Sequence, residues 1–562
     1  MTVNPLIRWA LACIFFAAVF IAYTWPLAKH ADSRIIGRLD MQSDVPVFYN
    51  NIYLFEKKIT AAESPLHNDM QMHPGGFNMA MNSHNFIMGI FCLPFKNNML
   101  GLNVGLLVSF ILSGLGAALL CYRFVPNYPA ALLAGFIFAF SPWKMIKLQD
   151  HHWFALTATI PFYIYHFIDV LEYGANRFLP RIKSYTKLIY CLLLGLLTSL
   201  SEYYLTFFLL YFSGFYILVK FYLKPWKFNY KSLKTWVIIA AIVVAGSVLV
   251  SLLAQWGVDD KGAIYWGGDL AAYFMPVYQQ WVKDAINAAD FIISPHAENY
   301  FFLGFAFIIL VLITFLIARK RGKFTLSDET RNLAWIALLF LLLTLPVLRV
   351  LGHFFFYLPT AIIHYIPFAN NVRVITRIFL LFSLLFPVVV LYVFNLQQLK
   401  YKNIILFSVI VILLIEFYPK QYDFIDTAQI PASVYKLKET GGRVVLPIPA
   451  GIRDGFIQKG LNNSDILFYQ TIFDKKIIGG YTARLSEKVL NEHLNDSVMR
   501  DIFTLSENPD TTLQPRSEAE ILQFFNKFSP DIIYIHPKWN TPQVQAYINR
   551  LAAKRAVKVR DM

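Results

Sequence analysis

The apolar positions along the chain come in long unbroken runs rather than at the alternating or one-face spacing of a water-soluble fold. Runs of about 20 apolar residues are the length a helix needs to cross a bilayer. About eleven stretches qualify: 7–28, 100–122, 128–143, 153–173, 187–203, 205–222, 235–256, 301–318, 332–351, 374–396 and 403–418. Three of these, 128–143, 187–203 and 403–418, are short. A shorter piece, Asn85–Phe95, reads as interfacial or re-entrant. The pattern changes near Pro419. "GGRVVLPIPAG" and "PDIIYIHPKW" each hold a β-branched strand between turn residues. "SEAEILQFFNKF" and "TPQVQAYINRLAAKRA" are amphipathic helices with Ser or Thr near the start. The predicted fold is a polytopic α-helical membrane protein over residues 1–418, with a long first loop at 29–84. A soluble α/β domain follows at 419–562.

Composition supports the membrane reading. The chain is 57% hydrophobic and 15% charged, against about 25% charged in soluble proteins. Aromatics reach 17%, as suits lipid-facing helices and interfacial belts. In a soluble protein a net charge of +15 would point to nucleic acid. Here the charges lie in short loops between apolar runs, so they read as topology signals and no nucleic-acid partner is expected. Cys13, Cys92, Cys121 and Cys191 lie in or beside apolar segments without metal-ligand spacing, which predicts neither a disulfide framework nor a zinc site. The run Trp9–Leu27 is long for a signal peptide and lacks an A-x-A cleavage site, so an uncleaved first helix is expected.

Every second loop is basic. Arg123 follows the second span, and Arg177, Arg181, Lys183 and Lys187 follow the fourth. Lys220, Lys224, Lys227, Lys231 and Lys234 follow the sixth, Arg319, Lys320, Arg321 and Lys323 the eighth, and Lys400 and Lys402 the tenth. These loops are cytoplasmic by the positive-inside rule. The N-terminus is then cytoplasmic and the C-terminal domain extracytoplasmic. The chemically interesting residues fall in the other, outer loops.

Asp44 lies ahead of an aromatic stretch with Asn50 and Asn51; it reads either as a catalytic base at the membrane surface or as a solvated loop charge. "KMIKLQDHHWFAL" places Lys144, Lys147, Asp150, His151 and His152 at the mouth between two helices. Its lysines suit a lipid phosphate, and the bland reading is interfacial snorkelling. Glu202 is a carboxylate in apolar surroundings, either functional or a helix cap. Asp269 follows two glycines, with His296 and Glu298 further on. Arg373 and Arg377, at i and i+4, would share a helix face and suit phosphate, the alternative being a salt bridge to an outer acid.

In this layout the chain resembles the GT-C superfamily of integral-membrane glycosyltransferases, and a bacterial branch of it. "SDVPVFYNN" approximates that branch's first-loop pattern around Asp44 and Asn50, with Tyr49 where the pattern has Trp and Ser43 where it has Gly. "HPGGFNM", "SPWKMIKLQDHHWFAL", "SEYYL", "GGDLAAYFMP", "ENYFFLG", "NNVRVITRIF" and "YQTIFDKKIIGGYTAR" are similar to its later elements. The resemblance implies a GT-C-like fold in the bacterial cytoplasmic membrane, and transfer, of inverting type, from a polyprenyl-phosphate-sugar to a glycan, lipid or protein acceptor at the outer face. It implies Asp44 as general base, Arg373, Arg377 and Lys147 on the donor phosphate, and Asn50, His151, Glu202 and Asp269 positioning substrate. The cofactor stays open: a divalent metal fits the class, and the first loop has no D-x-D pair. Membrane lipids are the remaining partners. The competing classes are a lipid-linked glycan transporter or flippase, which needs polar residues along a path through the bilayer where the span middles are almost free of charge, and an inactive envelope-assembly protein.

Overall fold

The computed structural model describes residues 4–40, 43–82, 84–174, 180–223, 233–255, 264–276, 298–366, 372–419, 421–455, 457–461, 464–553 and 558–561. Among these, five helices are long and apolar enough to cross a membrane: Pro5–Tyr23, Asn98–Phe124, Tyr128–Asp150, Tyr203–Tyr222 and Ile375–Leu396. They fit a multi-pass membrane protein. The other predicted stretches differ. Phe305–Arg321 and Asp328–Thr344 have 17 residues each, the lower limit for spanning. Tyr185–Ser199 and Lys402–Glu416 have 15, and Leu233–Gln255 has 23. The stretch 153–173 is broken into His152–Ala155, Thr159–Phe167 and a strand, Leu171–Tyr173. The helix in 332–351 stops at Thr344 because Pro346 drives the residue before it out of the helical region. The chain then forms a hairpin, Val347–Val350 with His353–Tyr357. Among the described residues five helices meet the length and hydropathy of a span, and the expected count of about eleven is not confirmed.

Small residues set the helix spacing. A Cβ on Gly135 would lie 2.5 Å from the Gly114 carbonyl oxygen and 2.7 Å from Phe16 Cζ, so three helices meet at backbone distance there. Asn97 caps Asn98–Phe124 by accepting from the Met99 and Leu100 amides, at 2.8 and 3.1 Å. Asn127 does the same for Tyr128–Phe140. Within the apolar stretch Tyr128–Asp150 the backbone leaves the helical region at Ser141, so the stretch is two helices, Tyr128–Phe140 and Pro142–Asp150. That break aims Lys147 and His151 into the site described below.

The segment expected as a long loop is structured. It contains the helix Val45–Thr60 and the short strand pair His67–Asn68 with Phe77–Asn78, and the brief helix Phe86–Cys92 follows it within the piece Asn85–Phe95. Arg34–Ile36 pairs antiparallel with Phe424–Asp426, and Arg34 meets Asp426 at 2.6 Å. The C-terminal segment contains a sheet of four parallel strands in the order Lys476–Ile477, Val444–Ile448, Ile532–Ile535, Lys558–Asp561. The two central strands are buried throughout, as parallel strands covered on both faces are. Their side chains alternate between two cores. Val445, Ile532 and Tyr534 join the core that runs through the helix bundle. Leu446, Ile448, Ile533 and Ile535 pack in a second core with Phe55, Met72, Phe77 and Phe86. The residues after 419 thus share their cores with the bundle and with the segment around Val45–Thr60. The amphipathic helices appear as Glu518–Phe528, with a capping box of Ser517 and Glu520, and as Pro542–Ala552, capped by Thr541.

Candidate functional site

Asp44 stands at the N-cap of Val45–Thr60, but its side chain makes no capping bond. The carboxylate turns instead to His151, whose Nε2 lies 3.2 Å from Asp44 Oδ2. His151 ends the Pro142–Asp150 helix, where its amide donates to the Lys147 carbonyl at 2.8 Å. Its Nδ1 is buried without a hydrogen-bond partner in the structure. Burial alone would raise the Asp44 carboxyl, but the His151 hydrogen bond and the charges of His151, Arg453 and Arg377 outweigh it. Asp44 is therefore held below the ordinary aspartate value, as the carboxylate.

Arg453 and Tyr481 come from the C-terminal segment. They are register partners on the parallel strands Gly451–Arg453 and Gly480–Tyr481, and the guanidinium sits 4.5 Å from the ring centroid. The Tyr481 phenol lies within electrostatic reach of Asp44, whose charge helps to keep it protonated. Sequence reasoning missed both residues as site members. The available signal was an Arg and a Tyr in Gly-flanked short strands, "AGIRDG" and "IIGGYTAR".

Beside this group lies a buried triad. Glu298 Oε1 accepts from Lys147 Nζ at 2.8 Å and from Arg377 at 2.7 and 3.1 Å. Arg377 also stacks on Phe154 and Tyr204, at 4.4 and 5.2 Å from the ring centroids. Burial raises the Glu298 carboxyl, and the Arg377 and Lys147 charges together overcome that and lower it to about 2. Lys147 is 2% exposed and Lys144 is fully buried, donating to Thr157 at 2.7 Å, so neither snorkels to a surface.

Arg373 and Arg377 do not share a helix face. The backbone is not helical until Ile375, a 3-10 turn covers Ile375–Ile378, and the α-helix begins at Phe379. Arg377 points inward to Glu298, while Arg373 is exposed and donates to the Gly455 carbonyl at 2.7 Å. Its charge still acts on Tyr481.

The remaining sequence candidates occupy supporting places. Glu202 caps the helix Tyr203–Ile217, accepts from the Tyr204 amide and lies within electrostatic reach of Arg377. Asn50 is fully buried, donates to the Leu467 carbonyl and Gln470, and accepts from Gln71, bracing the Asp44 helix against Asp465–Phe473. Asp269 accepts from the amides of Ala271, Leu351 and Gly352, and its own amide donates to Asn299, next to Glu298. His296 lies outside the described residues.

A cavity of about 70 Å³ adjoins the site, lined by Val47, Asn51, Trp153, Tyr481 and Thr482 among others. No group of three His, Cys, Asp or Glu side chains fit to hold a metal occurs among the described residues. The two carboxylates at the centre, Asp44 and Glu298, are both engaged by cations or hydrogen-bond donors. Among the described residues this donor set does not fit a divalent ion.

No curated protein matches the chain. Among solved structures it is similar to the oligosaccharyltransferase of Archaeoglobus fulgidus. A complex of that enzyme with Zn and sulfate matches at 12% identity and TM-score 0.42, covering 88% of this chain and 67% of that one. A form tethered to an acceptor peptide matches at 12% identity and TM-score 0.43, covering 84% and 64%. A complex of archaeal AglB with an inhibitory peptide and a dolichol-phosphate matches at 12% identity and TM-score 0.36, again covering 84% and 64%. The chain spans about two thirds of the length of these proteins. Likeness at that level does not speak to chemistry, which rests here on the side chains alone. Residues 64–417 match the family model described as Domain of unknown function (DUF6311), and the chain belongs to that family.

Proposed function

We propose that this chain is a membrane glycosyltransferase that moves a sugar from a polyprenyl-phosphate-linked donor to a hydroxyl-bearing or amide-bearing acceptor on a glycan, lipid or protein. The reaction takes place at the outer face of a bacterial cytoplasmic membrane, with the C-terminal segment extracytoplasmic. The observation that carries this reading is the juxtaposition of an ionised Asp44, fixed by His151, with the cations Arg377, Lys147 and Arg453. A sugar transfer needs both kinds of group, a base for the acceptor proton and positive charge for the departing phosphate.

In the proposed step the acceptor oxygen or nitrogen attacks the anomeric carbon and Asp44 takes its proton. The bond from that carbon to the phosphate oxygen breaks, and the electron pair leaves on the phosphate. One displacement inverts the anomeric centre. Arg377 and Lys147 share one counter-ion, Glu298, so the buried triad keeps a net positive charge toward the phosphate. Arg373, exposed at the rim, meets the phosphate on entry. His151 keeps the Asp44 oxygens aimed, and Glu202, Asn50 and Asp269 hold the elements that carry Arg377, Asp44 and Glu298.

The test is the lipid that copurifies with the full chain in lipid nanodiscs, identified by mass spectrometry. A glycosylated isoprenoid phosphate in the wild type that is lost in the Arg373→Ala/Arg377→Ala variant is expected. Bulk phospholipid alone in both samples would overturn the reading.

A further inference from the structure

A second cavity lies away from Asp44. It measures about 290 Å³, at the low end of the roughly 300–1,000 Å³ seen for small-ligand pockets. Tyr49, Tyr53 and Glu56 line it from one face of the Val45–Thr60 helix, at i, i+4 and i+7. Val47 and Asn51 of the same helix line the cavity beside Tyr481. The body of the helix, about 10–12 Å across, therefore separates the larger pocket from the proposed reaction centre.

The lining is chemically mixed. Tyr49 stacks on Phe468 at 5.2 Å and 26°, and Tyr435 is 44% exposed at the wall. Tyr435 and the half-buried Tyr53 offer flat apolar surface with a polar edge, while Tyr49 is buried against Phe468. Around them stand groups of every hydrogen-bonding type. Asp32 and Glu56 accept, Lys96 donates and Thr427 does both, while Asn97 is committed to the Met99 and Leu100 amides and the Asp32 carbonyl, and the Thr471 hydroxyl, donating to the Phe468 carbonyl, can still accept. Glu56 already accepts from the Asn98 amide, which orders the pair.

Three ligand chemistries compete for such a space. A phosphate would face two carboxylates, Asp32 and Glu56, against one ammonium, Lys96, and is disfavoured. An acyl chain would strip water from the carboxylates and amides without replacing their hydrogen bonds, and is disfavoured as well. A neutral sugar ring satisfies both parts. Its hydroxyls donate and accept around the edge, and its C–H faces cover the tyrosine rings. We infer that this pocket is a binding site for a neutral pyranose or short neutral oligosaccharide, distinct from the Asp44 centre.

The experiment uses the full chain in lipid nanodiscs prepared without alkyl-glycoside detergent. The probes are glucose, galactose, N-acetylglucosamine, lactose and chitobiose, with inorganic phosphate alongside, read by saturation-transfer difference NMR. Binding of at least one sugar is expected. It should fall about tenfold, the equivalent of roughly 1.4 kcal/mol, in Tyr435→Ala and in Glu56→Gln. Asp44→Asn should leave it unchanged, so failure of the catalytic reading and failure of this one are separate results. Thr471→Val serves as a third variant should Glu56→Gln lower the thermal midpoint. No sugar binding, binding that survives all the pocket variants, or binding of phosphate at these residues would each overturn the assignment.

Discussion

Asp44 Oδ2 lies 3.2 Å from His151 Nε2, which ties the start of one helix to the end of another from a different part of the chain. The contact leaves the carboxylate ionised yet largely screened from bulk water, with the Tyr481 phenol also within electrostatic reach of it. An acid held this way serves as a base for a weakly acidic hydroxyl only where a cation nearby takes up the charge that leaves. Arg377 and Arg453 supply that field.

Asp44→Asn removes the base while the helix keeps its start, since the Asp44 side chain makes no capping bond. Transfer should fall by about 10²–10⁴-fold, the usual contribution of a positioned base. An unchanged rate in a quantitative transfer assay would remove Asp44 from the chemistry.

His151→Asn acts through Asp44. His151 lowers the Asp44 carboxyl by hydrogen bond and charge, so its loss lets that carboxyl rise. The acid limb of the pH–rate profile should move to higher pH in the variant. A lower rate with an unshifted profile would mean that His151 only packs.

Glu298→Gln leaves Lys147 and Arg377 buried without their counter-ion. Breaking a buried pair this way costs about 3–5 kcal/mol. The pH dependence has a definite sign. The folded carboxyl sits at about 2 and the unfolded one near 4.3, so its stabilisation is complete above the unfolded value and is lost as pH falls from there toward 2. Thermal midpoints between pH 6 and pH 3 should drop in the wild type and be flatter in the variant.

Asp465 has the opposite sign. Burial, with Asp40 nearby and against Lys538, pushes its carboxyl up to about 7. An unfolded aspartate titrates near 3.9, so between these values the folded chain holds a proton that the unfolded chain has lost. Stability conferred by the protonated form falls as pH rises across that window. Asp465→Asn should raise the thermal midpoint at pH 8 and flatten its slope from pH 5 to pH 8. A lowered midpoint at pH 8 would contradict the assignment.

Gly135→Val tests the closest helix contact. The added atoms meet the Gly114 carbonyl at 2.5 Å, backbone that cannot swing aside, and overpacking of this kind costs about 1–3 kcal/mol or more. Gly195→Ala, whose nearest neighbour is 3.8 Å away, should stay within about 0.5 kcal/mol in the same unfolding assay.

Much of the architecture follows from local chemistry. Long apolar runs become helices because in lipid each backbone amide must be satisfied within its own segment. The strands at Val444–Ile448 and Ile532–Ile535 and the capped helices at Glu518–Phe528 and Pro542–Ala552 are readable because propensity and capping act within a few residues. Asp44, His151, Lys147 and Arg377 were legible as candidates because a charge beside an apolar run is costly and so conspicuous. What the sequence could not settle was partnership. Arg373 and Arg377 share a helical spacing, yet the helix starts only at Phe379 and they point to different partners. The local signal at Arg453 and Tyr481, a Gly-flanked short strand each, does not name a partner. These two residues reach Asp44 only because a parallel strand pair sets them side by side and two shared cores press that segment onto the bundle. Local patterns fix which elements form, since the forces involved act over one helical turn. Which side chains meet depends on long-range packing, and that was decided by the tertiary structure alone.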